Sequence, residues 1–168
     1  MTPDMAASAA GAPTKAIRFY WEDFVVGQVR EFGNMAVTRE AVLAFAHEFD
    51  PPPFHVDDAA AEASLFGGLA ASGWHTCAMA MRMMCEGYLL ESASLGSPGI
   101  ENLKWHKPVF PGDTLRMRFA VLEARPLASR PGVGLILSQW EVYNQHADKV
   151  LSMQGFGMFR RRGGAAPE

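Results

Sequence analysis

The sequence lacks the features that mark several large classes of protein. Its formal net charge is −3, whereas a general nucleic-acid-binding protein needs a basic face. No apolar run approaches the ~20 residues of a membrane-spanning helix, so we expect no membrane partner. The start of the chain carries Asp4 and no early Lys or Arg, unlike a secretory signal. We therefore expect a cytoplasmic protein that binds neither nucleic acid nor membrane.

Cysteine is also scarce, and its spacing is informative. Cys77 and Cys85 lie in one predicted helix, where eight residues correspond to about 12 Å. A disulfide spans at most about 7 Å between Cα atoms. We expect two unpaired thiols that serve as small buried side chains rather than nucleophiles.

What the sequence does contain suits one globular domain. Apolar residues make up 49% of the 168 residues and charged ones 20%, which is enough for a sizeable core. Residues 1–16 are rich in Ala, with Pro, Ser and Gly, and predict a mobile leader. We expect the ordered domain over residues 17–160 and a disordered tail over residues 161–168.

The first predicted helix begins at the N-cap Thr38. Its apolar positions follow the i, i+3, i+4, i+7 pattern of a helix with one buried face: Val42, Phe45, Ala46 and Phe49. Three prolines at positions 51–53 end this helix. Asp50 is then extended at the start of a stiff, polyproline-like run, with His55 at its far end.

A rigid spacer between a carboxylate and an imidazole could hold two proton-transfer groups in fixed geometry. The alternative is that the prolines only end the helix. Asp50 would then be a turn residue and His55 an ordinary loop histidine. The spacing alone leaves both interpretations open.

The longest helix is predicted from residue 74 to about residue 90, after a start at Ser72 and Gly73. Ala, Met and Leu occupy most of its circumference, which predicts burial on most sides. Its methionines are interpreted as core side chains rather than ligands. Before it, Asp57 or Asp58 caps a short Ala-rich helix that closes at the glycines 67 and 68.

The rest of the chain is typical of strands. They are predicted from the turn at Gly27 to residue 37, over 100–109, around the alternating positions 115–121, over 133–144 and over 149–160. One long buried helix followed by antiparallel strands predicts an α+β domain in which a sheet wraps the helix.

The segment FDPPPFHVDDAAA, with FGGLAASGWHT and KPVFPGDTL downstream, resembles the MaoC-like dehydratases and (R)-specific enoyl-CoA hydratases. The resemblance covers roughly residues 19–159, and the matching positions are Asp50, Pro53, Phe54, His55 and Ala61. The sequence differs at Phe49 and Pro52, where hydratases usually have Gly and Asn, and at Met81, near a serine of several hydratases. The resemblance implies a single hotdog domain, with the antiparallel sheet wrapped around the long central helix. It also implies a homodimer or higher homo-oligomer that covers an edge strand.

The resemblance further implies a hydro-lyase acting on 2-enoyl-CoA or, in reverse, on 3-hydroxyacyl-CoA, with (R) stereochemistry. The thioester partner is acyl-CoA or acyl carrier protein, and no cofactor is expected. In our interpretation Asp50 is the principal base and His55 orients the water, while the Gly73 N–H stabilises the thioester oxyanion. Ser72, Trp74 and Phe54 complete the predicted substrate-binding set. The alternative for Ser72 and Gly73 is a helix cap and a packing glycine.

Other polar residues offer weaker candidates. His75 lies on the first turn of the long helix. Lys104 and Lys107, or the basic residues 160–162, could bind CoA phosphates. The remaining histidines show no metal-ligand spacing, so we expect no metal site. Two competing functions stay open, namely a hotdog acyl-CoA thioesterase and a non-catalytic acyl-thioester-binding subunit.

Overall fold

A computed structural model describes residues 15–164. The helices are α1 (Arg39–Phe49), α2 (Pro53–Val56), α3 (Asp58–Glu62) and α4 (Gly73–Gly87), with 3-10 turns at Trp21–Asp23 and Leu89–Glu91. The strands are β1 (Val29–Ala36), β2 (Ser94–Trp105), β3 (Thr114–Pro126), β4 (Val133–Tyr143) and β5 (Lys149–Arg160). No helix within the described residues is long and apolar enough to cross a membrane.

The five strands form one antiparallel sheet in the order β1-β3-β4-β5-β2. Alternate residues of β3 face the core, and they are the predicted ones: Leu115, Met117, Phe119 and Val121. Met83 of α4 belongs to the same core, and Gly33 lets β1 approach it closely. The backbone of Gly33 is left-handed (φ +90°), a conformation that favours glycine. The predicted hotdog architecture, a sheet packed around one long helix, is confirmed.

The predicted burial of α4 on most sides is wrong for the single chain. Its buried side carries Met79, Ala80, Met83 and Met84. The opposite side leaves Trp74 61% exposed and Met81 46% exposed. The reason is that the sheet covers one side of the helix only. The helix also ends at Gly87, and residues 89–91 form a separate 3-10 turn.

Two predicted boundaries and one predicted buried residue also differ. The strand predicted over 100–109 is β2, Ser94–Trp105, and the residues after it form the turn that leads to β3. The Ala-rich helix is α3, which ends at Glu62 rather than near residue 67. In α1, Val42 and Ala46 are buried, but Phe49 is 66% exposed. Phe45 and Phe49 pack on each other at the rim, with ring centroids 5.1 Å apart.

The ends of the domain are held by ion pairs. Arg162 binds Asp23 at 2.7 Å and Arg161 lies 3.6 Å from Glu22, so residues 161–164 of the predicted tail are tied to the first 3-10 turn. Residues 165–168 of that tail and residues 1–14 of the predicted leader lie outside the described residues. The two cysteines are unpaired, as their spacing predicts, but half-buried.

Candidate active site

The segment from Asp50 to His55 joins α1 to α2. Asp50 has left the helical conformation (φ −152°, ψ 69°) without being fully extended, and its N–H donates to the Ala46 carbonyl at 2.9 Å. Pro52 has polyproline-like angles, but Pro53 is already the first residue of α2. The predicted extended run to His55 is therefore wrong in its second half. Proline suits the first position of a helix because its fixed φ is helical and its missing N–H is not needed there.

The turn of α2 directs His55 back towards Asp50. His55 Nε2 lies 3.6 Å from Asp50 Oδ2, and His55 Nδ1 lies 2.9 Å from the Ala70 carbonyl oxygen. A carbonyl can only accept, so Nδ1 carries the hydrogen, and in the neutral ring Nε2 keeps a lone pair. Two acceptors therefore converge, and one water molecule could donate a hydrogen to each. The His55 side chain is 8% exposed and that of Asp50 is 29% exposed.

Two phenylalanines hold the His55 ring. Phe66 stacks on it with centroids 5.7 Å apart and an interplanar angle of 26°. Phe54 meets it edge-on at 4.7 Å. The Phe66 N–H donates to the Ser64 hydroxyl at 3.1 Å, which fixes the turn that presents this ring. Aromatic rings therefore pack on the imidazole, while its two nitrogens face the Ala70 carbonyl and the Asp50 carboxylate.

The N-terminal end of α4 supplies free backbone donors. The Ser72 hydroxyl caps the helix by accepting the Trp74 N–H at 3.1 Å. No residue among 15–164 accepts a hydrogen bond from the Gly73 N–H. The Trp105 indole lies against Gly73 and donates its Nε1–H to the Gly73 carbonyl at 3.0 Å. A Cβ at position 73 would be 2.6 Å from Trp105 Cε2, so the indole can keep this position only against a glycine.

These groups share one cavity of about 410 Å³. Its walls comprise Asp50, His55, Phe66, Ala71, Gly73, Trp74, Thr76 and residues 105–109. Four of the six predicted site residues thus meet, whereas Ser72 and Phe54 are not among the lining residues and support their neighbours. A second cavity of about 210 Å³ lies by the other half of α4 and contains none of these six residues.

Phe66, Thr76 and Trp105 also line the first cavity, although sequence reasoning gave them no role. Two signals were available. Phe66 belongs to the FGGLAASG motif, and Thr76 lies three residues after Gly73, hence on the same face of α4. No sequence signal pointed to Trp105, because its contact with Gly73 joins residues that are 32 positions apart.

The cationic side chains that were candidates for binding CoA phosphates lie at different places in the structure. Lys107 lines the cavity and forms an ion pair with Asp148 at 2.6 Å, whereas Lys104 is not among the lining residues. His106 also lines the cavity, and its Nε2 lies 2.7 Å from the Ser152 hydroxyl. Arg161 and Arg162 bind the N-terminal 3-10 turn instead, as described above.

His75 packs away from the cavity. Its ring stacks on Phe45 at 4.8 Å and is nearly parallel to it, at 8°. Among the described residues nothing accepts or donates a hydrogen bond at its buried Nδ1. Burial lowers the pKa of His75 because the charged form is poorly solvated there. Within residues 15–164, no group of three or more His, Cys, Asp or Glu side chains could hold a metal ion.

Comparisons with known proteins identify the family of the chain. A family model described as a MaoC like domain matches residues 23–134. A MaoC-like dehydratase structure from Rhodospirillum rubrum is 41% identical, with a TM-score of 0.79 over 86% of this chain and 99% of that one. The uncharacterized protein YdeM of Bacillus subtilis is 30% identical over 129 residues, which are 77% of this chain and 90% of YdeM.

A more distant structure shares the fold. The R-hydratase PhaJ1 from Pseudomonas aeruginosa is 22% identical, with a TM-score of 0.68 over 84% of this chain and 86% of that one. The family match covers more than half of the chain and includes the cavity residues from Asp50 to Val109. The chain belongs to the MaoC-like dehydratase family.

Proposed function

We propose that the protein adds water to 2-enoyl thioesters, or removes it from 3-hydroxyacyl thioesters, with (R) stereochemistry. The observation that carries this proposal is the 3.6 Å separation of Asp50 Oδ2 and His55 Nε2 beside the cavity that Gly73 also lines. Acyl-CoA and acyl carrier protein thioesters are both candidate substrates. The (R) stereochemistry is supported by the family resemblance alone.

The proposed reaction uses both acceptors. One hydrogen of the water bonds to His55 Nε2, which orients the molecule, and the other transfers to Asp50. The water oxygen forms a bond to C3 while the C2–C3 π electrons move towards the thioester oxygen. The Gly73 N–H stabilises the negative charge that develops there. The protonated Asp50 then gives its proton to C2, so that one water has been added and Asp50 is again ionised.

Purified protein with crotonyl-CoA tests the reaction class. We expect loss of the enoyl-thioester absorbance without release of free thiol, and an (R)-3-hydroxy product by chiral chromatography. Asp50→Asn and His55→Ala should each lower kcat by about 10²-fold or more, because each removes a group that handles the water. Glu48→Gln, an exposed carboxyl group near the end of α1, is the matched control. Near-normal turnover by a folded Asp50 or His55 variant would contradict the proposed roles.

The same assay separates the competing functions. A thioesterase would direct the activated water at the thioester carbonyl and release free thiol from crotonyl-CoA. A non-catalytic binding subunit would change neither signal with thioesters of any chain length. The second alternative is disfavoured because Asp50 and His55 are both present and converge.

We also propose a homodimer, based on surface that the single chain leaves open. Strand β2 lies at one edge of the sheet, and Ile100 on it is 45% exposed. Trp74 and Met81 on the outer side of α4 are exposed as well. A second copy could cover both surfaces, and a stable interface buries roughly 1,200–2,000 Å² in total.

Light scattering coupled to size-exclusion chromatography measures this assembly. The wild-type chain should elute as a dimer or larger, and Met81→Glu should shift it towards the monomer because a charge would be buried. Val26→Glu is the matched control, since Val26 is 57% exposed in the turn before β1. A monomeric wild-type protein would contradict the proposed dimer.

A further inference from the structure

The peptide group that joins Ser72 to Gly73 is held from its carbonyl side by one residue. The Thr76 N–H donates to the Ser72 carbonyl oxygen at 3.0 Å, and the Thr76 hydroxyl donates to the same oxygen at 3.3 Å. Thr76 is only 3% exposed, although it forms part of the cavity wall. Ser72 is fully buried, so no competing solvent reaches this carbonyl.

The N–H of this same peptide group is the Gly73 N–H. Hydrogen bonds accepted by a carbonyl draw electron density from the amide and strengthen the bond that its N–H can donate. The neighbouring N–H groups of the helix end are not equivalent. The Trp74 N–H is already taken by the Ser72 hydroxyl, and His75 does not line the cavity.

We propose that Thr76 is a positioning residue for the oxyanion site. Its two donors orient and polarise the Ser72–Gly73 peptide, so that the Gly73 N–H points into the cavity as a stronger donor. This inference rests on the proposed function, because it assigns Thr76 to the stabilisation of charge on a thioester oxygen. The Thr76 side chain thereby acts on the transition state without contacting the reacting atoms.

Kinetics of two variants test the role of the hydroxyl. Threonine commonly donates to the carbonyl four residues earlier in a helix as a purely structural contact. Loss of activity in a single Thr76 variant would therefore not distinguish a structural role from a positioning role. Thr76→Val keeps the shape and the N–H but removes the hydroxyl, whereas Thr76→Ser keeps the hydroxyl. Removal of a whole oxyanion donor costs about 10²–10³ in kcat, and cooperative strengthening is about 10–30% per bond. Thr76→Val should therefore lower kcat for crotonyl-CoA about two- to eightfold.

The relative changes in kcat and KM distinguish a positioning role of Thr76 from a purely structural one. Because charge develops mainly in the transition state, KM should change less than kcat. Thr76→Ser should restore most of kcat, and thermal melting should show that all three proteins are folded. Equal kcat for the wild-type and Thr76→Val proteins would overturn the inference, and so would a Thr76→Ser variant as slow as Thr76→Val.

Infrared difference spectra of a bound, unreactive ligand give a second readout. Butyryl-CoA labelled at its carbonyl carbon has no double bond to hydrate. Its carbonyl stretch should fall on binding to the wild-type protein, fall less in Thr76→Val and recover in Thr76→Ser. No shift in the wild-type protein, or the same shift in wild type and Thr76→Val, would overturn the inference.

The kinetic and infrared measurements distinguish an error in the role of Thr76 from an error in the proposed function. If the wild-type protein hydrates crotonyl-CoA but the Thr76 variants behave alike, only the role of Thr76 is wrong. If the wild-type protein hydrates no enoyl-CoA, the proposed function is wrong, and the infrared comparison still decides whether Thr76 polarises the Gly73 N–H. Release of thiol from butyryl-CoA would identify a thioesterase.

Discussion

Replacing Gly73 with alanine tests why a glycine begins the central helix. The new Cβ would be 2.6 Å from Cε2 and 2.8 Å from Nε1 of Trp105, which is closer than such atoms approach in proteins. The Trp105 side chain is half-exposed and can swing away. It would then lose its hydrogen bond to the Gly73 carbonyl and its edge contact with Trp74, whose ring centroid is 5.5 Å away. Each of these interactions contributes about 0.5–1.5 kcal/mol.

We therefore expect Gly73→Ala to lower the free energy of unfolding by about 1–2 kcal/mol, within the range of overpacked sites. In a Trp105→Ala background the obstacle is absent, and alanine is intrinsically the better helix former by up to about 1 kcal/mol. The same substitution should then be neutral or stabilising. Urea unfolding of the four proteins, followed by circular dichroism at one protein concentration, gives the coupling energy. An equal loss in both backgrounds would refute the steric argument.

The double variant also separates the two interpretations of Gly73 that its sequence left open. If glycine serves only to accommodate the indole, Gly73→Ala should cost little turnover once Trp105 is replaced by alanine. If a thioester carbonyl must approach this backbone, Gly73→Ala should still lower kcat in that background, although its stability has recovered. Turnover of crotonyl-CoA by the Trp105→Ala protein, with and without Gly73→Ala, provides the comparison.

Two further predictions concern rings near the site. Phe66→Ala removes the ring stacked on His55 and should lower kcat/KM for crotonyl-CoA by up to about 10²-fold, the cost of moving a catalytic group by about 1 Å. Leu65→Ala, at a fully exposed neighbour, should leave kcat/KM unchanged, and equal effects of the two substitutions would contradict this prediction. Burial lowers the pKa of His75 below its ordinary value of 6.5, so the unfolded chain binds that proton more tightly than the native chain. The stability that neutral His75 contributes is therefore present above about pH 6.5 and is lost as the pH falls below it. Melting temperatures should fall less between about pH 7 and pH 5 in His75→Phe than in wild type, and parallel curves would refute the argument.

The parts of the fold that sequence reasoning predicted correctly depend on local chemistry. The side chains of Thr38 and Ser72 do cap α1 and α4, because a hydroxyl before a helix meets N–H groups only two or three residues away. The alternation in β3 was readable for the same reason. Pro53 shows the limit of this reasoning. Its sequence context predicts the end of one helix and a stiff extended spacer, although proline also suits the first position of the next helix.

Contacts between segments that are distant in the sequence could not be predicted from it. Nothing near Trp105 in the sequence indicates that its indole covers Gly73, or that the Ala70 carbonyl binds His55. The composition of α4 predicted an apolar surface, but it did not indicate whether the same chain or a second copy covers that surface. The exposed Met81 therefore looked like a core residue, whereas the sheet of its own chain leaves it open.

One short stretch links both halves of the proposed chemistry. The Ala71 N–H donates to the Val109 carbonyl at 2.8 Å, which fixes the buried backbone on either side of it. The Ala70 carbonyl in this stretch orients His55, and the Gly73 N–H follows three residues later. The proposed water site and the proposed oxyanion donor are therefore held by the same piece of backbone. An enoyl thioester is conjugated and prefers a planar arrangement from C1 to C3, so in each planar conformer its carbonyl oxygen and its site of water attack are a defined distance apart. Thioester hydrolysis would instead need the water beside the carbonyl carbon, which is bonded directly to that oxygen, so the two reactions require different spacings between the water and the oxyanion donor.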